Sequence, residues 1–377
     1  MPDIHLHIIS FDIPYPPNYG GVIDVFHKIR TLFNAGVKIH LHCFQYHRLP
    51  SLELEKFCTE VHYYRRKTSI FSAMSWIPYI VYSRRSKELV NNLSKDSHPI
   101  LFEGLHSCYY LNSKELKNRF KIYRESNIEH QYYYHLFKAE NNLVKKLYFI
   151  FSSLKLRAFQ RILDKSDLML TVSKEDNEYL RSKFKNVPVE YLPSFHGFDE
   201  MNSITGQGEY CLYQGNLSVP ENFKAAEYLI EKVFSGAKHK LIVAGLEPNN
   251  ELVRLCKKHS NVTLITNPKE EMMGKLIREA QINIMVTFQP TGLKLKLLNA
   301  LFNGRFCLVN PEMVAGTELV DLCEIGRTPR ELIDKINDLM NVPFDENMIS
   351  HRKEILLKWH SNTENCKTFL NLLSLLS

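Results

Sequence analysis

The sequence predicts an α/β protein of two doubly wound, Rossmann-like domains facing a central cleft. Three observations carry that expectation. Short apolar runs alternate with helical stretches along the chain, the pattern of parallel sheets covered on both faces. The alternation occurs in two series, and Asn202–Gly208, Asn-Ser-Ile-Thr-Gly-Gln-Gly, reads as the linker between them. At 377 residues the chain is also long for a single core. The expected division is residues 1–203 and 204–349.

Ile4–Phe11 opens the first series as a buried strand, followed by a Pro/Gly loop over 14–21. A helix over roughly Val22–Ala35 stops at Gly36, and Val37–Phe44 is the next strand, with His40 and His42 alternating along it. Pro99–Glu103, Phe120–Arg124 and Leu168–Val172 read as further strands, with a long helix expected across about 131–165. In the second series the strands are Tyr210–Gln214, Lys240–Ala244, Val262–Ile265, Ile282–Val286 and Phe306–Val309. Helices are expected between them at about 221–234, 249–258, 270–280 and 294–303, and again over 347–376. Ligands of such sheets bind beyond the carboxyl ends of the strands.

Composition narrows the function classes. No run of eighteen apolar residues is present, so no spanning helix is expected. The N-terminus lacks a basic segment followed by an apolar stretch, so no secretory signal is expected. The eight cysteines are scattered without a Cys-x-x-Cys pair, which suggests neither a zinc site nor a disulfide framework, and a reducing cytoplasm fits. Residues 1–200 hold 28 basic and 21 acidic residues, whereas 201–377 hold 20 of each, so the whole excess of +7 lies in the first half. That half is expected to meet an anionic partner. The basic residues form no nucleic-acid motif, and none is expected as a partner.

Five patches carry chemistry. Pro14–Gly21 holds Gly20 and Gly21, where the missing side chains let backbone approach a phosphate or sugar. Ser126-Asn127-Ile128-Glu129-His130 follows the Phe120–Arg124 strand and offers Glu129 and His130 for acid–base work, with His106 a further candidate after Pro99–Glu103. Leu170–Asp176 contains Ser173, a good helix N-cap. Gly215-Asn216-Leu217-Ser218-Val219-Pro220-Glu221-Asn222 opens the second series. Thr291-Gly292-Leu293-Lys294-Leu295-Lys296-Leu297-Leu298-Asn299 is a turn glycine leading into a helix with two early lysines. A helix N-terminus presents unpaired N–H groups and partial positive charge, to which Lys294 and Lys296 would add for a phosphate.

In this order the five patches resemble the motifs of the GT-B nucleotide-sugar glycosyltransferases, most closely glycosyltransferase family 4. The resemblance covers most of the chain. It implies a retaining transfer of a hexose from a nucleoside diphosphate sugar to a hydroxyl of a glycan or lipid-linked glycan in polysaccharide assembly. It implies donor contacts at Gly20, Gly21, Gly215, Asn216, Gly292, Lys294, Lys296 and Asn299, while the catalytic candidates His106, Glu129 and His130 rest on their own acid–base chemistry. No cofactor or metal is implied, and no Asp-x-Asp motif is present to hold an ion. The last helix, about 350–377, is expected to pack back on the first domain. Five positions depart from the family pattern. Ser126 stands where a histidine is usual, Thr291 and Asn299 where two glutamates are, and Asn216 and Asn222 where Arg and Lys often bind the diphosphate. A GT-B sugar-nucleotide epimerase and a catalytically lapsed sugar-nucleotide-binding protein therefore stay open as alternatives. Basic and aromatic residues mix in Tyr63–Tyr79, Arg84–Lys87 and Lys145–Phe151. They suggest a cytoplasmic protein docking peripherally on the anionic inner face of the membrane to reach a polyprenyl-linked acceptor.

Overall fold

The computed structural model describes residues 4–69, 75–140, 142–288 and 294–376. They form two compact units, the described residues of 4–197 with 360–376 and those of 198–288 with 294–359. The division thus falls at Gly197/Phe198 rather than 203/204, and the return begins at His360 rather than about 350. Local contacts explain both shifts. Phe198 stacks on Phe302 at 5.8 Å and Asn202 N–H donates to Phe302 O, so residues 198–203 belong to the second unit. Asn362 Nδ2 donates to His196 O at 2.7 Å, which ties the returning chain to the end of the first unit.

The first unit runs β1 (His5–Ser10), α1 (Gly20–Asn34), β2 (Lys38–Gln45), β3 (Glu60–Arg65), α2 (Lys87–Leu93), β4 (Ile100–Glu103), β5 (Lys121–Arg124), α3 (Glu129–Ala139), α4 (Leu143–Phe159), β6 (Leu168–Thr171), α5 (Lys174–Lys183) and β7 (Val189–Tyr191). All seven strands are parallel, in the order β3-β2-β1-β4-β5-β6-β7. One face packs Leu6, Ile8, Ile39 and Leu41 against Val25, Ile29 and Leu32 of α1, with Phe369 and Leu373 from the returning helix. The other packs Ile9, Phe44, Phe102 and Tyr123 under Leu89, Leu93 and Leu156. The long helix expected across 131–165 is two helices and a terminal 3₁₀ turn. Glu140 is extended at ψ 141°, and Asn142 starts the second helix by accepting from Lys145 N–H.

The second unit runs β8 (Tyr210–Asn216), α6 (Pro220–Tyr228), β9 (Lys240–Leu246), α7 (Asn250–Lys257), β10 (Val262–Thr266), α8 (Glu270–Glu279), β11 (Ile282–Met285), α9 (Leu295–Asn303), β12 (Phe306–Val309), β13 (Glu324–Ile325), α10 (Pro329–Leu339) and α11 (Glu346–Trp359). Its six strands are again parallel, in the order β10-β9-β8-β11-β12-β13. α12 (Asn362–Leu376) then packs on the first unit.

A buried ionic network fixes α1 against the first sheet. Lys28 Nζ donates to Asp24 Oδ2 at 2.9 Å and to Glu103 Oε1 at 2.6 Å. Arg124 pairs with Asp24 Oδ1 at 3.4 Å and donates to Pro193 O at 3.0 Å. Burial alone would raise Asp24, yet the Lys28 and Arg124 charges hold its carboxyl down at about 2. Because α1 is held this way, its first residues sit in a fixed place beyond the carboxyl end of β1.

Candidate functional site

In the first unit the chemistry gathers where β1, β4 and β5 end. Gly20 is the first residue of α1, and Gly21 lies directly under the Phe11 ring: a Cβ there would come within 2.5 Å of Phe11 Cζ. Phe11 in turn meets the His106 ring at 5.4 Å. Gly104, at φ +68°, makes the turn that carries His106 off β4, and a Cβ on it would press within 3.2 Å of His106 Nδ1. Glu129 opens α3, and its Oε1 lies 3.7 Å from His106 Nδ1. The loop before it is pinned by Glu125, which accepts from Tyr123 Oη at 2.7 Å and from Asn127 N–H at 3.0 Å.

Burial favours the uncharged form of both members of this pair. Burial pushes Glu129 up to about 8, against the opposing pull of the Arg84 guanidinium. Burial, with repulsion from Arg84 and Arg66, holds the His106 imidazole well below its ordinary value. His106 Nδ1 makes no hydrogen bond among the described residues and lies buried beside the Glu129 carboxyl. His130 does not join the pair. One residue on along α3, it faces a groove of about 860 Å³ lined also by Tyr134, Arg157, Arg161, Tyr179 and Lys183. Burial and the charges of Lys183 and Arg157 lower its imidazole to about 4.

The second unit gathers its groups where β8 and β11 end. Gly215 and Asn216 are the last residues of β8. A Cβ on Gly215 would lie 3.5 Å from Lys296 Nζ, so the lysine reaches over bare backbone. Lys296 Nζ donates to Asn222 Oδ1 at 2.7 Å, and Asn222 Nδ2 donates back to Asn216 O at 2.8 Å. Burial lowers the Lys296 ammonium while the Glu221 carboxylate raises it. Glu221 itself accepts from Thr287 Oγ1. Lys294 occupies the N-cap position of α9, one residue before the helix proper. Asn299 lies one turn further on, and its Oδ1 accepts from Asn303 Nδ2 at 2.8 Å. Gly292 lies outside the described residues.

The chain matches no protein-family model. It is 27% identical, over 367 residues, to an uncharacterized 44.6 kDa protein in the cps region of Klebsiella pneumoniae, covering 92% of this chain and 91% of the relative. Among solved structures it resembles sucrose-phosphate synthase from Thermosynechococcus elongatus, with a TM-score of 0.73, 14% identity and 99% of each chain covered. It also resembles a TarM mutant from S. aureus in complex with fondaparinux, alpha-GlcNAc-glycerol and UDP, with a TM-score of 0.67, 11% identity and 99% of each chain covered. The chain has the GT-B glycosyltransferase fold. On this GT-B scaffold Gly215 and Asn216 end β8, and Gly104, which carries His106, follows β4; such sheets place ligands beyond strand carboxyl ends.

Several groups at these GT-B sheet ends escaped the sequence reading. Arg84 was expected as a membrane-facing charge, but it is 6% exposed. Its Nε donates to Phe11 O at 2.7 Å, which holds the loop over Gly21 and places a cation near Glu129. Arg66 likewise turns inward, donating to Ser83 Oγ and stacking over the Tyr46 ring at 4.5 Å. Nothing in the local sequence separates these arginines from solvated ones. Glu221 and Thr287 were also unforeseen. Only Glu221's place just inside a helix start gave any signal, because Thr287 reaches it from a strand end some sixty residues away in sequence.

Proposed function

We propose that the protein is a retaining hexosyltransferase that moves a hexose from a nucleoside diphosphate sugar to a hydroxyl of a glycan or lipid-linked glycan in polysaccharide assembly. The observation that carries this reading is Lys296, held over the bare backbone of Gly215 at the start of α9. A half-buried ammonium beside a helix N-terminus stabilises a diphosphate most when its charge grows as the sugar leaves. The fold, the UDP in the TarM complex and the cps location of the Klebsiella relative support the same reading.

In the proposed reaction the bond from the anomeric carbon to the diphosphate breaks while the acceptor oxygen bonds to that carbon on the same face. The acceptor proton goes to the departing phosphate oxygen. His106 and Glu129, both neutral, hydrogen-bond sugar hydroxyls and place no positive charge against the cationic sugar of the transition state. Asn299 accepts from the ribose through its remaining carbonyl lone pair, more weakly than a glutamate would. Lys294, Lys296 and the helix supply the countercharge, so this chemistry requires no metal or cofactor. The acceptor meets the first unit. The groove lined by Arg157, Arg161 and Lys183 is suited to an anionic linker, and it shares Leu154 with an exposed apolar stripe on α4.

The test is incubation with a panel of nucleotide sugars, beginning with uridine diphosphates, in deuterated water. Release of free sugar or transfer to an added acceptor, with the donor's anomeric configuration kept by NMR, is expected. Exchange of carbon-bound hydrogen without release would point to epimerisation. Nucleotide binding with neither outcome would point to a lapsed binding protein.

A further inference from the structure

The amino-terminal edge of the first sheet is crowded with imidazoles that the proposed transfer does not use. His5 and His7 alternate along β1, His40 and His42 along β2, and Glu60 and His62 along β3. The parallel register sets His7 beside His40, His40 beside Glu60 and His42 beside His62. These side chains share the sheet face that becomes apolar further along, at Ile9, Phe44 and Tyr64. They lie at the opposite end of the strands from His106 and Glu129.

The inner members of this cluster are satisfied by neighbours. His7 Nδ1 lies 2.9 Å from His42 Nε2, and His7 Nε2 lies 3.0 Å from Asp96 Oδ2. Arg119 pairs with the other Asp96 oxygen at 3.0 Å, and His42 Nδ1 meets Tyr64 Oη at 2.8 Å. The outer members differ. His5, His40 and His98 are half-buried, and each offers one ring nitrogen within 4.8 Å of the other two. His5 Nδ1 and His40 Nε2 are already 2.9 Å apart. The His98 ring, on the turn before β4, stacks on His5 at 4.4 Å and makes no hydrogen bond among the described residues.

Glu60 decides the tautomer. Its Oε1 lies 2.7 Å from His40 Nδ1. A carboxylate only accepts, so His40 carries its proton on Nδ1 and turns the Nε2 lone pair toward His5. Carboxylates orient metal-bound imidazoles in just this way. We propose that His5, His40 and His98 form a three-imidazole site for a borderline divalent transition-metal ion of the zinc class, with Glu60 as the carboxylate that orients His40. Three neutral nitrogens suit zinc, copper or nickel and not calcium or magnesium, which take oxygen ligands. Zinc–imidazole bonds of about 2.0–2.1 Å place tetrahedral nitrogens roughly 3.3 Å apart, a closure that rotation of the half-exposed His98 ring supplies. Water fills the fourth position. The ion cross-links the starts of β1 and β2 to the turn into β4, so its effect is on the stability of the first sheet.

Zinc chloride titrated into the full chain by calorimetry, and cobalt(II) by visible absorption, test the site. One equivalent is expected to bind, with cobalt bands typical of nitrogen ligation and a rise in melting temperature. His98→Asn, on a half-exposed turn where the fold tolerates change, should weaken binding tenfold or more and abolish the temperature shift. Glu60→Gln should weaken it about 10–100-fold while the cobalt bands persist, as expected of a positioning residue. His351→Asn, exposed on α11 of the other unit, should leave the titration unchanged. Absence of stoichiometric binding, or unchanged affinity in a His98→Asn protein whose circular dichroism matches the parent, overturns the proposal.

Discussion

Lys296 is the residue on which donor recognition turns. Its ammonium touches Asn222 and overlies Gly215, so truncation removes charge without opening the core. Lys296→Ala is expected to weaken nucleotide-sugar binding by roughly ten- to hundredfold, the 1.5–3 kcal/mol of a charge-assisted contact, read by calorimetry. Equal affinity in parent and variant would remove Lys296 from the donor site. Glu129 gives a second expectation. Its folded-state carboxyl is raised from 4.5 to about 8, so between these values the folded protein holds a proton that the unfolded chain has lost. Stability from this group is complete below about pH 4.5 and declines as pH rises to about 8. Glu129→Gln cannot ionise, so its melting temperature should gain on the parent's between pH 5 and pH 8. Parallel curves for the two proteins would mean that Glu129 is ionised in the fold.

Among elements, α4 stands apart. Leu143, Leu147, Phe151 and Leu154 project along one stripe, with Leu143 77% and Phe151 60% exposed, although an amphipathic helix normally buries such residues. Lys145 and Lys146 flank them, and no described helix is long and apolar enough to cross a membrane. Docking on an anionic bilayer is a proposal that this stripe supports. Leu147→Glu with Phe151→Glu should abolish co-sedimentation with anionic vesicles. Lys145→Gln should weaken it about fivefold at low salt and little at high salt, since each basic residue contributes about 1 kcal/mol at such a surface. No sedimentation of the parent at low salt would remove the membrane proposal and leave a soluble acceptor. The Tyr63–Tyr79 and Arg84–Lys87 stretches contribute less than their composition suggested. Tyr64 and Arg84 are buried, Arg66 stacks on Tyr46, and Trp76, 94% exposed, remains; Phe71 lies outside the described residues.

In the whole molecule each unit depends on its own core, and the first also on buried charge. Lys28 bridges Asp24 and Glu103 with almost no solvent access, and Arg124 adds a second cation at Asp24. Lys28→Met leaves the buried Glu103 without its ion-pair partner and Asp24 with Arg124 alone, a loss of about 3–5 kcal/mol in denaturant unfolding. A change below about 1 kcal/mol would show that water or a shifted Arg124 takes over the role.

Strand–helix alternation was legible because most of the buried parallel strands are short apolar runs and some helix starts carry a side-chain cap, as at Ser173 and Asn249. The same local rules reveal the turn glycines and the lysines at the start of α9. They failed at β3, whose Glu60-Val61-His62 start is too polar to read as buried, and at the two-residue β13. They failed again at the break near 140, where extended backbone at Glu140 ends one helix and a new cap at Asn142 starts another. Motif order along the chain singled out His106, Glu129 and Lys296 as separate candidates. Only the folded sheets bring His106 to Glu129, Arg84 to the Phe11 carbonyl, and Thr287 to Glu221. Such pairings join residues far apart in sequence, and burial, which sets their charge, is a property of the packed chain alone.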